Sequence, residues 1–258
     1  MSLFKTKHKV AAPIFAPLEC DIHCHLVPAV DDGSKSAEES ATCMRIMKEA
    51  GFSEVFITPH YQYPRFPNEE SDIERRFSEL KLDLDMRKDS NLPHLSGVAG
   101  EYRIDSIFKK RIEEDKFLLV GGRYLLTELS LHQVVMGLDQ FYFDLQMKNH
   151  EIILAHPERY PYFTSSASQL EKFKDMGVLF QVNILSLSGF YGESPRRKAF
   201  EMIENGWVEF LGTDMHNTIY AQALIDASHD RKIEKLLSKH TFKNHELLHP
   251  QPVVNKKL

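Results

Sequence analysis

An α/β barrel of parallel strands, closed or nearly closed, is the fold this sequence predicts, and three observations predict it. Seven short apolar β-like runs alternate with amphipathic helical stretches along one uninterrupted chain. The 258 residues, 42% apolar and 27% charged, are enough to bury one full core, and a barrel of this size is ordinary. Six of the seven runs end in a His, Glu or Asp, and a barrel gathers strand ends that are distant in sequence around one mouth.

Residues 1–17 carry lysines and prolines with little periodic pattern, and they read as a solvated extension before the domain. The first run, 18–23, leads into His23 and His25. A helix follows: Ser36-Ala37-Glu38-Glu39 is a capping-box pattern, Ala41, Met44, Ile46, Met47 and Ala50 supply a buried stripe, and Gly51 is a natural C′ residue. The second run, 55–58, reaches Pro59-His60, and the third, 95–100, reaches Glu101. The fourth, 124–129, contains Glu128, and the fifth, 151–155, reaches His156. A helix at 170–176 closes at Gly177 before the sixth run, 178–182. A last helix at 200–205 passes through Gly206 into the seventh, 207–212, which ends at Asp214-Met215-His216. The barrel is therefore expected over 18–240, with a solvated tail at 241–258. Two aromatic segments, 61–67 and 186–194, interrupt the rhythm just after strand ends, where barrel loops carry specificity, so both are candidate substrate contacts.

Composition narrows the function classes. A formal net charge of −5 gives no electrostatic case for nucleic acid. No apolar run approaches the roughly 20 residues that span a bilayer, so no integral membrane protein is expected, and no secretory h-region follows the N-terminal lysines. The three cysteines, Cys20, Cys24 and Cys43, lack CxxC spacing, which fits a reducing cytoplasm.

The chemistry lies in Asp21-Ile22-His23-Cys24-His25. Histidines two apart on a strand project to one side and can share a metal. Cys24 points the other way, as a packed residue. His60, Glu101, Glu128, His156, Asp214 and His216 would join them from other strand ends. Asp32 fits a further ligand, although Asp31 could take that position. Each alone is an ordinary polar group at a loop entrance or a helix cap; convergence from six strands is what makes a metal centre. The other histidines, on helices, in turns or in the tail, read as surface residues. Five imidazoles and four carboxylates exceed the needs of one ion. Donors without thiolates suit manganese, iron or zinc. Arg159, three residues after His156, can hold a phosphate oxygen, and no P-loop is present. Asp21 is placed to orient a ligand histidine.

With these residues in place, the chain resembles the PHP superfamily, and within it the CpsB/CapC-type manganese-dependent protein-tyrosine phosphatases of bacterial capsular and exopolysaccharide loci. The resemblance runs from about residue 20 to 217. DIHCHLVPAVDDG (21–33), TPH ending at His60, GEY at Glu101, TELS at Glu128, AHPERY (155–160), FQVN (180–183) and GTDMHN (212–217) carry it. It implies a distorted (β/α)7 TIM-like barrel of the PHP type with three metal ions. His23, His25, Glu101 and Asp214 would hold the first ion, Glu101, Glu128 and His156 the second, and Asp32, His60 and His216 the third. Arg159 would contact the substrate phosphate. The implied substrate is a phosphotyrosine protein, the tyrosine-rich tail of a bacterial tyrosine kinase. One departure stands out: many relatives carry an arginine shortly after DMHN, and Asn217-Thr218-Ile219-Tyr220 offers none.

The expected reaction is attack by metal-activated water on phosphorus, in line with a departing phenolate, with Arg159 stabilising the charge. A histidinol-phosphatase-like enzyme for small alkyl phosphates is the nearest alternative. An amidohydrolase-type deacetylase and a non-catalytic regulator that binds a kinase tail are others.

Overall fold

The computed structural model describes residues 13–163 and 167–249. Its strands are β1 (Cys20–Asp21), β2 (Glu54–Ile57), β3 (His60–Tyr61), β4 (His94–Val98), β5 (Glu101–Arg103), β6 (Tyr124–Glu128), β7 (Glu151–Ala155), β8 (Leu179–Asn183) and β9 (Phe210–Gly212). All pair in parallel, in one sheet ordered β1-β2-β4 and another ordered β3-β5-β6-β7-β8-β9. Two predicted runs are broken rather than lost. Thr58-Pro59 separates β2 from β3, and Ala99-Gly100 separates β4 from β5, so seven chain passages build the barrel from nine strands. Proline has no N–H to give a ladder, which accounts for the first break. Beyond β1 and β9 the chain pairs once more at Cys24 and Met215, where the His25 amide donates to the Met215 carbonyl at 2.8 Å. The barrel closes there, at the level of the two histidines.

The helices α1 (Ala37–Ala50), α2 (Glu70–Arg87), α3 (Phe108–Glu114), α4 (Leu138–Met147), α5 (Ala167–Asp175), α6 (Ile184–Ser188), α7 (Glu193–Glu204), α8 (Thr218–Ser228) and α9 (Arg231–Leu237) stand between the strands. The α1 cap forms as its sequence predicts at one end: Ser36 Oγ accepts from the Glu39 amide, and Gly51 takes φ 118°. Glu39 reaches back one residue further than in a capping box, to the Lys35 amide at 2.9 Å. Ala41, Met44, Met47 and Ala50 are buried.

Period-two alternation divides the core. On β7, Ile153 and Ala155 point into the barrel with Phe56, Tyr124, Leu126 and Phe210, while Ile152 and Leu154 meet the helices outside. The same parity carries β6 from Tyr124 and Leu126 inside to Glu128 at the mouth. It puts Glu101 and Arg103 of β5 on one face, with Tyr102 buried on the other.

Both expected boundaries move outward. Phe15 is fully buried against Phe52, so the N-terminal segment joins the core before residue 18; residues 1–12 lie outside the described residues. The tail is only partly solvated where it is described: Thr241 and His249 are exposed, but Phe242 and Asn244 are buried. Asn244 is buried, donates to the Cys20 and Leu211 carbonyls and accepts from the Leu211 amide, clamping β1 to β9. Polar composition hid this, because a buried asparagine with every bond made looks like a loop residue in sequence. Residues 250–258 lie outside the description. No helix among the described residues is long and apolar enough to cross a membrane.

Candidate metal centre

The nine residues predicted as ligands converge on one end of the barrel. His23, His25, Glu101, Glu128, His156 and Asp214 are buried there, and Asp32, His60 and His216 are less deeply set at its rim. A chain of hydrogen bonds fixes the chemistry of the deepest pair. Asp214 Oδ2 accepts from Asn183 Nδ2 at 2.7 Å, so Asn183 Oδ1 is the atom that accepts from Gln181 Nε2 at 2.9 Å. Gln181 therefore presents Oε1 to His23 Nδ1 at 2.7 Å, and a carbonyl oxygen only accepts. In the neutral ring the His23 proton sits on Nδ1, which leaves Nε2 bare. His25 Nδ1 faces Asp31 Oδ2 at 2.9 Å, which assigns the same tautomer. The two bare Nε2 atoms then face each other across 3.2 Å.

Carboxylate oxygens surround that gap. Glu101 Oε1 lies 3.3 Å from His23 Nε2, and Glu101 Oε2 lies 3.4 Å from His25 Nε2. Asp214 Oδ1 is 3.5 Å from one and 3.3 Å from the other. Asp214 divides its oxygens, with Oδ2 held by Asn183 and Arg159 Nη1 and Oδ1 turned inward. His156 Nε2 meets Glu101 Oε1 at 3.0 Å. His60 stands between groups, its Nδ1 2.8 Å from Glu101 Oε2 and 3.3 Å from Glu128 Oε1, its Nε2 3.5 Å from Asp32 Oδ1. His216 Nε2 completes the rim, 3.7 Å from Asp32 Oδ1.

Apart from the His156–Glu101 bond and the two to Asp214 Oδ2, these contacts are close but are not hydrogen bonds. Asp32 Oδ1, His60 Nδ1, Glu101 Oε2, Glu128 Oε1 and His156 Nδ1 are all buried with no hydrogen-bond partner. Orphaned buried polar atoms are rare and costly, about 1–3 kcal/mol each. A shared proton can bridge His23 and His25; it does nothing for the orphans. Divalent cations satisfy both, so the donor set fits metal ions. Among the described residues, three groupings of ligand atoms are close enough to hold one: His25, His60 and His216; His23, His25 and Glu101; His60, Glu101 and Glu128.

The electrostatics agree. Burial and neighbouring His60 act to lower the His25 imidazole, but Asp31 and Asp214 outweigh them and raise it to about 10. Burial would raise the Asp214 carboxyl, yet His23, His216 and Arg159 hold it well below the usual carboxylate range. The cluster demands positive charge. Backbone strain marks the same place: His156 at φ 37° and Asp214 at φ 53° are left-handed residues with side chains.

Asp31 and Asp32 differ in what engages their oxygens. Asp31 takes His25 Nδ1, the His60 amide and the Gly33 amide, whereas Asp32 keeps a bare oxygen facing His60 and His216. Asp21 does not orient an imidazole, contrary to expectation. It accepts from the Thr213 amide and hydroxyl and so fixes the end of β9. Gln181 does the orienting instead. It lay in the one predicted run with no His or acid at its end, and the visible signal was Gln181 and Asn183 two apart on a strand. Cys24 is buried, its Sγ against the Phe56 carbonyl, and burial raises its thiol.

A cavity of about 250 Å³ opens over the cluster. Arg159 lines it, its guanidinium 2.8 Å from Asp214 Oδ2 and 4.2 Å above the Tyr191 ring. The 61–67 segment contributes Gln62 and Arg65, but 186–194 contributes no lining residue. It forms the end of α6 and a turn, and its Phe190 and Tyr191 pack on Tyr220, which does line the cavity.

Comparison with known proteins adds the following. Residues 19–252 match the family described as capsular polysaccharide synthesis, CpsB/CapC. The chain is 28% identical over 198 residues to the tyrosine-protein phosphatase YwqE of Bacillus subtilis (strain 168), covering 76% of this chain and 77% of that protein. It is 28% identical over 202 residues to the tyrosine-protein phosphatase CpsB of Streptococcus pneumoniae, covering 76% and 82%. Among solved structures, it superposes with a TM-score of 0.77 on one from a study of these two proteins as unique metal-dependent tyrosine phosphatases. Identity there is 25%, with 91% of this chain and 96% of that chain covered.

Proposed function

Because this chain belongs to the CpsB/CapC family of capsular polysaccharide synthesis, we propose that its barrel mouth is the active site of a metal-dependent protein-tyrosine phosphatase. The observation that carries this reading is the pair of bare imidazole nitrogens, 3.2 Å apart and ringed by Glu101 and Asp214, beneath a cavity bordered by arginine. His23, His25, Glu101 and Asp214 would hold one cation, Glu101, Glu128 and His156 a second, and Asp32, His60 and His216 a third. Three ions, manganese before iron or zinc, suit nine oxygen and nitrogen donors. When bound, such ions lower the pKa of water and neutralise phosphoryl oxygens.

The protein's own groups do the rest. Gln181 and Asp31 fix the tautomers of His23 and His25, so that each neutral ring turns its unprotonated nitrogen inward. Arg159, anchored on Asp214, keeps other N–H groups for the phosphate and steadies the charge that develops there. The tyrosyl leaving group has a conjugate-acid pKa of about 10 and departs readily. The substrate is read as a phosphotyrosine protein, the tail of a bacterial tyrosine kinase that governs polysaccharide synthesis, met in the cytoplasm. Family membership supports that step.

The test compares turnover of a phosphotyrosine peptide with that of an alkyl phosphate, after elemental analysis of the purified protein. Metal-dependent turnover favouring the peptide is expected. Faster alkyl phosphate hydrolysis would replace the substrate assignment, and a metal-loaded protein inert toward p-nitrophenyl phosphate would replace catalysis with binding.

A further inference from the structure

Three guanidiniums line the cavity over the cluster: Arg65, Arg103 and Arg159. Two are committed. Arg159 holds Asp214 and stacks on Tyr191. Arg65, its side chain 61% exposed, bonds Asp32 Oδ2 at 3.0 Å and lies over Phe66. Arg103 differs. Its side chain is only 18% exposed, and its one charged neighbour is Glu128, with Nη1 3.6 Å from Oε1. Among the described residues no hydrogen bond engages it. None of its nitrogens is among the buried atoms left without a partner, so its donors open onto the cavity, where an anion could fill them.

Its place on the strand says which anion. Glu101 and Arg103 are two residues apart on β5 and share a face, and Arg103 pairs in register with Glu128 on β6. Arg103 thus stands one step above the Glu101 carboxylate, toward the open end of the cavity. The Glu128 oxygen it approaches is an orphan turned toward His60, and that oxygen is read above as a metal donor. Once a cation takes it, the guanidinium charge is left facing the cavity, among other cations. A doubly charged phosphoryl group suits that surrounding, and a planar fork of donors matches its oxygens two at a time.

We propose that Arg103 is a second phosphate-binding residue of this site, gripping the phosphoryl group from the β5 side while Arg159 holds it from the turn after β7. The assignment deepens the phosphatase reading and rests on it. It needs no arginine on the segment after Asn217.

The experiment uses the full-length, manganese-loaded protein with Arg103→Met and Arg103→Lys. Inorganic phosphate is titrated calorimetrically, metal per chain is measured by elemental analysis, and kcat and KM are read on a phosphotyrosine peptide. Losing charge-assisted hydrogen bonds should weaken phosphate binding in Arg103→Met by roughly 10- to 100-fold, at unchanged metal content. Peptide kcat/KM should fall with it. Arg103→Lys should lie between, since it keeps the charge and loses the fork. The opposite pattern, metal lost from Arg103→Met with phosphate affinity unaltered at matched occupancy, would make Arg103 a mere counter-charge for Glu128 and overturn the proposal. Should Arg103→Met fail to fold, Arg103→Lys and Arg103→Gln decide it by the same readouts. Wild-type protein that binds phosphate through Arg103 yet never turns over phosphotyrosine would refute the phosphatase reading and leave the anion site standing.

Discussion

Asp31 and Asp32 are neighbours of identical chemistry, and the fold gives them different work. Asp31 has its oxygens filled by His25 and two backbone amides, and Asp32 has one oxygen bare. Asp32→Ala should therefore lower the metal per chain by about one ion while the deeper ions stay. Asp31→Ala should keep the stoichiometry and weaken affinity by roughly 10- to 100-fold, as removal of a partner behind a ligand histidine does. Competition with a chelator, followed by elemental analysis, separates the two; identical profiles would contradict the division. Gln181 admits a sharper test of tautomer control. Gln181→Leu leaves His23 Nδ1 without an acceptor and should weaken metal binding by a similar factor. Gln181→Glu retains an oxygen there and should recover most of it. Unchanged affinity in Gln181→Leu would mean that His23 is oriented by something else.

At the scale of the element, parity did most of the positioning. An alternation that buries Tyr124 and Leu126 inside the barrel delivers Glu128 to its mouth, and the HxH spacing delivers His23 and His25 together. Such patterns are legible because a strand has a fixed period. Eight of the nine proposed ligands could thus be named at strand ends without coordinates, and Asp32, beyond strand one, only with Asp31 as its alternative. What resisted reading was everything whose meaning depends on a partner. Gln181, Asn183 and Arg103 resemble ordinary strand residues until the facing strand is known, and the breaks at Thr58-Pro59 and Ala99-Gly100 became visible only as broken ladders. The C-terminal segment failed for the same reason. Asn244 bonds Cys20 and Leu211 across more than 200 and about 30 residues of chain, respectively, a coupling no local pattern reports. Asn244→Ala would strand three buried backbone groups, and a loss of about 2–4 kcal/mol of unfolding free energy is expected in denaturant titration. A loss under about 0.5 kcal/mol, the range of a surface substitution, would show that the segment does not clamp the barrel. Gly212 marks a close crossing at the cluster: a Cβ there would lie 2.8 Å from His23 Cβ and 2.9 Å from Gln181 Nε2. Gly212→Ala should thus disturb metal affinity as well as stability.

The whole molecule carries a formal charge of −5, and four of its carboxylates are gathered in one buried cluster. A barrel cannot hold such a cluster without compensating positive charge. In the metal-free chain, protons supply it: the His25 imidazole is raised to about 10 and His60 is raised as well, although burial opposes both. Metal uptake at neutral pH must therefore expel protons from imidazoles. The sign follows. Protons compete for the inward nitrogens at every pH below the raised values, so metal affinity climbs as pH rises from 6 toward 9 instead of levelling just above the ordinary histidine pKa of about 6.5. Calorimetric titration in buffers of different ionisation enthalpy should register proton release at pH 7.5; a buffer-independent heat would contradict it. Stability is linked to the same exchange. Ions bound to the folded chain at 100 times their dissociation constant add about 2.7 kcal/mol per independent site, and a chain of this length gains roughly 2–4 °C for each kcal/mol. Stripping the metal should accordingly lower the melting temperature by roughly 5–10 °C for one such site alone. Because protons only partly replace the cations, the drop should grow as pH rises through the imidazole range, where the metal-free cluster loses the protons that hold its carboxylates together. A metal-free protein that melts as high as the loaded one at pH 9 would mean that the buried acids are balanced by the chain itself.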